Sequence, residues 1–287
     1  MELKRCCISS ELACAQSGRF SISYLNKSVT PQPLHTHNNL EIYYGLSNGK
    51  YFIIDGVIYP VQKHDVFIIN PFETHRVEAI KDHPHERYIL SIMPDFLKSI
   101  SSTHTDLTEC FYNKSKFSSR IPLPKTQHHR MMELIDKLIA AEGFGSDLVE
   151  NAALTEIILL IMNASESPSA TPPPSDNKYI ADILNYIHHS LDEDLSLDNL
   201  AAKFHLSKGY LCRLFKEHTN TTIHEYICEK RISEAKLLLT TGYTVQETLS
   251  MTGFNDYANF IRRFKEKVGM SPKKYATMVV SRKGKEL

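Results

Sequence analysis

Leu197-Asp198-Asn199-Leu200-Ala201-Ala202-Lys203-Phe204-His205-Leu206-Ser207 runs on to Leu211-Cys212-Arg213-Leu214-Phe215-Lys216. A second stretch repeats the design: Val245-Gln246-Glu247-Thr248-Leu249-Ser250-Met251-Thr252-Gly253-Phe254, then Phe260-Ile261-Arg262-Arg263-Phe264-Lys265. Each has two short apolar runs at helical spacing, a tight turn between them, and a closing basic helix with an aromatic anchor. Ser196 and Ser207 are placed to cap the helices of the first copy; in the second, Asn255 or Asp256 can cap the helix after the Gly253-Phe254 turn. The pattern is a helix-turn-helix. Burying Leu211, Leu214 and Phe215 against Leu200 and Ala201 leaves Lys208, Gly209, Cys212, Arg213 and Lys216 for a major groove and its phosphates. Two copies predict contact with a nucleic acid at two places at once.

In the second copy Phe260 and Phe264 turn inward, which directs Tyr257, Ala258, Ile261, Arg262 and Lys265 outward. Arg213 and Arg262 are the expected base readers, because the guanidinium fork matches guanine O6 and N7. Lys208, Lys216, Arg263, Lys265 and Lys267 suit phosphates, Tyr257 a thymine methyl or sugar edge, and Cys212 a close contact. A helix from about residue 222 to 239, packed through Ile223, Tyr226, Ile227, Ala235, Leu238 and Leu239, joins the copies and ends at Gly242. Arg231 within it predicts an internal ion pair or a phosphate contact. Before the first copy, Ile180, Ile183, Leu184 and Ile187 make an amphipathic helix; after the second, Ser271-Pro272 starts a last helix with Tyr275 inward.

The charge distribution agrees. The chain has 33 basic and 33 acidic residues, yet residues 178–287 hold 17 basic and 13 acidic against 16 and 20 in residues 1–177. The positive excess travels with the duplicated motif. At 287 residues the chain has room for two domains, each expected to bury its own core. The run Ser165-Glu166-Ser167-Pro168-Ser169-Ala170-Thr171-Pro172-Pro173-Pro174-Ser175-Asp176 reads as the linker between them. The expected division is therefore residues 1–164, a 165–177 linker, and residues 178–287. Six cysteines without Cys-x-x-Cys spacing, and a start without a secretory apolar run, predict reduced thiols and a cytoplasmic location. The longest apolar run, Ile157 to Met162, is read as too short for a bilayer span, so no membrane partner is expected.

The front half is strand-like from Phe20 to about Ile92. Residues 49–54 and 57–61 flank Asp55-Gly56, a dipeptide suited to a two-residue hairpin turn, and further short strands at 66–69 and 88–92 predict a small barrel or sandwich. His35, His37 and Glu41 share one face if the segment is a strand, and His75 can join them from a neighbour. Imidazoles with a carboxylate suit a transition metal, and equally line a polar pocket for an organic effector. This set resembles the cupin barrel, whose first motif is matched at His35, His37 and Glu41 and whose second at His75; His64 before Asp65 departs from the second motif. Residues 126–163 then predict two amphipathic helices, one through Met131, Leu134, Ile135, Leu138 and Ile139, the other through Leu148, Ala152, Leu154, Ile157, Ile158 and Ile161. They cover the barrel, and the second can also pair with another subunit.

Taken with Leu200-Ala201, Leu206-Ser207, Tyr210-Leu211, Leu214-Phe215-Lys216, Tyr226, Arg231, Ala235, Gly253-Phe254, Phe260, Phe264-Lys265, Gly269, Ser271-Pro272 and Tyr275, the chain resembles the AraC/XylS family of transcription regulators. The resemblance implies an α+β chain: an N-terminal cupin-like β-barrel with flanking helices, and a C-terminal all-α domain with two helix-turn-helix motifs that enter successive major grooves. It further implies a non-enzymatic, ligand-responsive regulator that activates transcription, partnered by promoter DNA, a small-molecule effector, RNA polymerase and a second copy of itself. No cofactor is required; the His35, His37, Glu41 and His75 set can line the effector pocket or hold a transition metal. The competing readings are a metal-dependent cupin enzyme fused to DNA-binding helices, and a helical protein-interaction module. Thr248-Leu249 stands where the family has Ile-Ala, Asn220 where it has glycine, Asn259 where an aromatic is frequent, and Ala276 where arginine is usual.

Overall fold

Alternation along one strand sets the layers of the front half. In β2 (Leu40–Gly45) of the computed structural model, Leu40, Ile42 and Tyr44 join one apolar cluster while Tyr43 joins another, so the strand is buried on both faces. The structure describes residues 7–26, 34–80, 83–165, 178–219 and 221–283, which places residues 166–177 of the expected linker, and Asn220, outside the described residues.

A five-stranded sheet has the order β1-β7-β2-β5-β8, with β1 at Phe20–Leu25, β5 at Asp65–Ile69, β7 at Arg87–Ile92 and β8 at Arg120–Pro122. A three-stranded sheet has the order β4-β3-β6, with β3 at Tyr51–Ile54, β4 at Val57–Pro60 and β6 at His75–Glu78. All these pairings are antiparallel. Tyr43, Phe67 and Ile69 of the large sheet pack on Phe52 and Ile54 of the small one, closing the barrel-like interior. The β3–β4 turn has Asp55 at φ +50° and Gly56 at φ +87°, the two left-handed positions that the Asp-Gly pair predicts.

The other face of the large sheet is covered by α4 (Lys125–Ala140) and α5 (Ser146–Ser165), through Met131, Leu134, Ile135 and Leu138 and through Ala153, Leu154, Ile157, Ile158 and Ile161. Three residues expected on the inward stripes lie outside: Ile139 and Leu148 are 53% and 68% exposed, and Ala152 yields its place to Ala153. At 20 residues α5 is long and apolar enough to cross a membrane by composition, contrary to the shorter run read from sequence; its inward residues are core residues of the front half. Helices α1 (Cys7–Ser17), α2 (Pro94–Ser99) and α3 (Glu109–Tyr112), and strand β8, had no counterpart in the sequence reading.

The back half is helical: α6 (Lys178–His189), α7 (Leu197–Lys203), α8 (Lys208–Thr219), α9 (Ile223–Thr241), α10 (Val245–Met251), α11 (Tyr257–Val268) and α12 (Pro272–Lys283). Ile180, Ile183, Leu184 and Ile187 are fully buried, as expected. The first helix-turn-helix, α7–α8, does not close its core alone. Leu200, Leu211, Leu214, Phe215 and the α6 stripe form a single cluster with Leu34 and Ile53 of the front half. Period-two alternation explains it: Phe52 and Ile54 face the barrel interior, leaving Ile53 to face the helices. Separate cores were expected for the two halves; the front half and the second motif have them, the latter built from Ala235, Leu239, Phe260 and Phe264, whereas the first motif shares its core with the front half.

Polar contacts follow the same seam. At the hairpin tip Asp55 pairs with Lys230 of α9 and lies 3.4 Å from His188 Nδ1 of α6. Ser233 and Lys236 of α9 donate to the backbone carbonyls of Phe72 and Pro71. Tyr51 and Arg76 both donate to the carbonyl of His218 in the last turn of α8.

Candidate functional site

The two basic helices stand on well-capped supports. Ser196 accepts from the Asn199 amide at the start of α7, and Ser207 from the Tyr210 amide at the start of α8. Thr244 and Glu247 form a reciprocal capping box on α10, and Asp256, rather than Asn255, caps α11 through the Asn259 amide. Buried Leu211, Leu214 and Phe215 on α8, and Phe260 and Phe264 on α11, fix which face is outward. On that outward face Lys208, Cys212, Arg213 and Lys216 are exposed in the first motif, and Tyr257, Arg262 and Lys265 in the second. Tyr210 is 38% exposed and lies under Arg213, whose guanidinium carbon is 5.5 Å from the ring centroid.

The second arginine is held differently. Arg262 donates to Glu266 and to Asn259, each at 2.8 Å, so α11 preorganises its fork on its own surface. These bonds are exposed and cost little to exchange for a base edge. Arg263 is half-buried, 3.5 Å from Glu266, and faces a cavity of about 410 Å³ with Asp256 and Asn259. Ile261, expected outward, packs on the second core. Lys267, expected at a phosphate, instead pairs with Glu225 and Glu229 of α9 and ties the second reading helix to the connecting helix.

Arg231, expected in an internal ion pair or a phosphate contact, reaches backbone carbonyls of the same chain. Nε and Nη2 donate to the carbonyls of Leu191 and Glu193, both at 3.0 Å, so it clamps the loop before α7 against the second motif. Burial lowers its pKa from the ordinary arginine value. Gly253 completes this clamp: at φ +71°, a Cβ there would stand 2.2 Å from the Leu191 carbonyl oxygen. Thr248, where the family has isoleucine, is fully buried with its hydroxyl oxygen unpartnered.

The polar set of the front half converges as expected, but not from one strand. Glu41 lies on β2 and His75 opens β6, whereas His35 and His37 sit in the segment before β2, held by a two-way backbone bridge between His35 and His75. His37 Nε2 is 3.1 Å from Glu41 Oε2, and the His75 ring centroid is 4.5 and 4.7 Å from those of His35 and His37. His37, Glu41 and His75 are 4%, 2% and 2% exposed. Burial, then the neighbouring His35 and His37, push the His75 pKa well below the usual histidine range, so its ring is neutral. Ligand atoms of His37, Glu41 and His75 lie within 4.8 Å of one another. Beside them a cavity of about 190 Å³ runs between the His35–Asn38 segment and Glu229, Ile232 and Lys236 of α9.

Asp55, Arg76 and Lys230 were missed as site residues. Their partners lie on elements more than a hundred positions away, and only the turn propensity of Asp55 was visible locally.

Residues 26–158 match the family described as AraC-like ligand binding domain, and residues 200–278 match a helix-turn-helix domain. The transposon Tn10 TetD protein of Escherichia coli is 37% identical over 97 residues, 33% of this chain and 70% of that protein. The Msm operon regulatory protein of Streptococcus mutans is 29% identical over 155 residues, 54% of this chain; the match spans 49% of that relative, about half its length. YdeC of Bacillus subtilis, an HTH-type transcriptional regulator by name, is 24% identical over 256 residues, 86% of each chain. A solved structure of apo ToxT from Vibrio cholerae aligns over 91% of this chain and 98% of that one at 14% identity and a TM-score of 0.40. With a ligand-binding domain of the AraC type in front and paired helix-turn-helix motifs behind, the chain belongs to the AraC/XylS family of transcription regulators.

Proposed function

We propose that this regulator is a cytoplasmic, ligand-controlled activator that binds promoter DNA as a homodimer and engages RNA polymerase. Arg213 and Arg262 read bases in successive major grooves; Lys208, Lys216, Arg263 and Lys265 hold phosphates, and Tyr257 and Cys212 make close contacts to the groove wall. His35, His37, Glu41 and His75 recognise the effector by hydrogen bonding and take part in no catalytic step. Exposed Ile139, Phe144, Leu148, Val149 and Leu159 on the α4–α5 hairpin support self-association.

The observation that carries the reading is the shared apolar cluster that joins Ile53 to Leu211, Leu214 and Phe215. A ligand that shifts the small sheet must disturb the core of the first motif, while the second motif follows through α9 and through the packing of Gly253 on the loop before α7. An effector therefore changes the angle between two reading helices rather than exposing or hiding them. Transcription in vitro from a promoter selected by the protein tests this. Effector-dependent activation is expected, together with monomerisation and loss of activation in Leu148→Glu; effector-independent output would refute the reading.

A further inference from the structure

We propose that Asn259 and Glu266 are positioning residues for Arg262, and that their clamp makes α11 the stringent half of the DNA site while α8 is the tolerant half. This deepens the reading of Arg213 and Arg262 as base readers and rests on it.

The two reading helices carry the same register. Tyr210, Arg213 and Glu217 on α8 repeat the spacing of Asn259, Arg262 and Glu266 on α11, with the arginine three residues after the first member and four before the last. Such neighbours lie on one face of a helix. Their contacts nevertheless differ. Arg262 donates from Nη1 to Glu266 Oε1 and from Nη2 to Asn259 Oδ1, both at 2.8 Å. Asn259 is itself fixed, because its amide donates to the Asp256 cap at 2.6 Å. Arg213 instead lies over the Tyr210 ring, and among the described residues neither its side chain nor that of exposed Glu217 makes a hydrogen bond or ion pair. The residue before the arginine decides: an amide oxygen accepts from the fork and turns it toward the carboxylate, whereas a ring offers only its face. Asn259 stands where the family frequently has an aromatic, so the clamp is this chain's own.

Exposed pairs of this kind add little to stability, and the Arg262 and Glu266 side chains are 57% and 45% exposed. What they change is readout. Each terminal nitrogen of Arg262 has a second N–H beyond the one the clamp uses, so the fork can meet guanine O6 and N7 without leaving Asn259 and Glu266. A long side chain held before binding loses little freedom when it meets the right base. Held in place, it also cannot swing to a neighbouring acceptor when the base is wrong, so a mismatch leaves donors unpaired. Arg213, with no such tether, re-aims. Glu266 adds a second effect. Its other oxygen lies 3.5 Å from Nη1 of Arg263, and its charge opposes the phosphates, which lowers affinity for DNA of any sequence.

The test measures affinity of the full chain for every single-base variant of a selected duplex, at low and at high salt. In the wild type, replacing the guanine under α11 is expected to cost at least about fivefold more than replacing the one under α8. Equal penalties overturn the asymmetry. Asn259→Ala and Glu266→Gln should each cut the α11 penalty about fivefold and leave the α8 penalty unchanged. Glu266→Gln should also bind unrelated duplex more tightly, with a steeper salt dependence. Tyr210→Asn, which supplies the missing amide in register with Glu217, should raise the α8 penalty. A merely structural role for Asn259 and Glu266 would weaken all sequences together and leave the preferences as they were, and that result overturns the clamp. If Arg262→Ala relaxes the α11 preference while Asn259→Ala and Glu266→Gln do not, the reader stands and the clamp falls. If Arg262→Ala changes no preference, reader and clamp fall together.

Discussion

Arg76 of the small sheet donates from Nη1 to the backbone carbonyl of His218, 2.6 Å away, in the last turn of the first reading helix. The terminal carbonyls of a helix lack intrahelical partners and carry the negative end of its dipole, so a cation there is favourable. Arg76 is 3% exposed, which strengthens the contact, and Tyr51 shares the same carbonyl at 3.3 Å. Arg76→Ala should cost about 1–3 kcal/mol. Amide hydrogen exchange should rise severalfold in Phe215–Thr219 and stay unchanged in α11. Equal acceleration in both helices would mean that the front domain does not act selectively on the first motif.

Gly56 makes the hairpin tip a docking point. At φ +87° it needs glycine, and a Cβ would stand 3.0 Å from the Leu184 carbonyl oxygen of α6. Gly56→Ala should lower stability by about 1–2 kcal/mol from the left-handed backbone alone. It should also increase exchange in α6, since helix and hairpin must part. A melting temperature equal to that of the wild type would show that the two halves separate freely there.

Thr248 is a stability fault with a simple repair. Its hydroxyl is buried without a hydrogen-bond partner, at the position where the family carries isoleucine. Thr248→Val removes the unsatisfied oxygen at nearly constant volume and should stabilise the chain by about 1 kcal/mol. Chemical denaturation measures this, and a destabilised variant would reveal a hidden partner for the hydroxyl.

His85 gives the fold an acid-sensitive point. Burial, then the charge of Arg87, push its pKa down to about 4, and its Nε2 meets the Tyr43 hydroxyl at 2.6 Å. Between about pH 6.5 and 4 the unfolded chain therefore binds a proton that the folded chain does not, so stability rises with pH in that window. Acidification from pH 7 to 4 should cost roughly 3 kcal/mol through this group. The difference between wild type and His85→Gln isolates it from the carboxylates: the curves should converge as pH falls, and parallel curves would remove His85 as the cause.

The back half was legible because its residues carry local, periodic information. Caps at Ser196, Ser207 and Asp256, and inward Leu214, Phe215, Phe260 and Phe264, follow from spacing alone. The His35, His37, Glu41 and His75 set was legible as a cluster but not as geometry, since two members precede the strand and are held by a bridge to β6. The seam was not legible. Ile53 reads as an ordinary strand residue, and nothing near it in sequence says that its outward face completes the core of a helix 160 positions on. Lys267 and Arg231 failed for a related reason: a basic residue beside a reading helix has the same sequence signature whether it meets phosphate, carboxylate or carbonyl.

The central claim is that Arg213 and Arg262 read DNA from two helices of one chain. Its most direct test is to select bound duplexes from a genomic library with the full chain, and then to measure affinity for wild type, Arg213→Ala and Arg262→Ala on every single-base variant of the enriched site. Two short motifs one helical turn apart are expected. Each variant should relax preference at one of them by about 1–3 kcal/mol, while Lys216→Ala and Lys265→Ala weaken all sequences evenly and lessen the salt dependence. Full affinity and unchanged preference in both arginine variants would contradict the account.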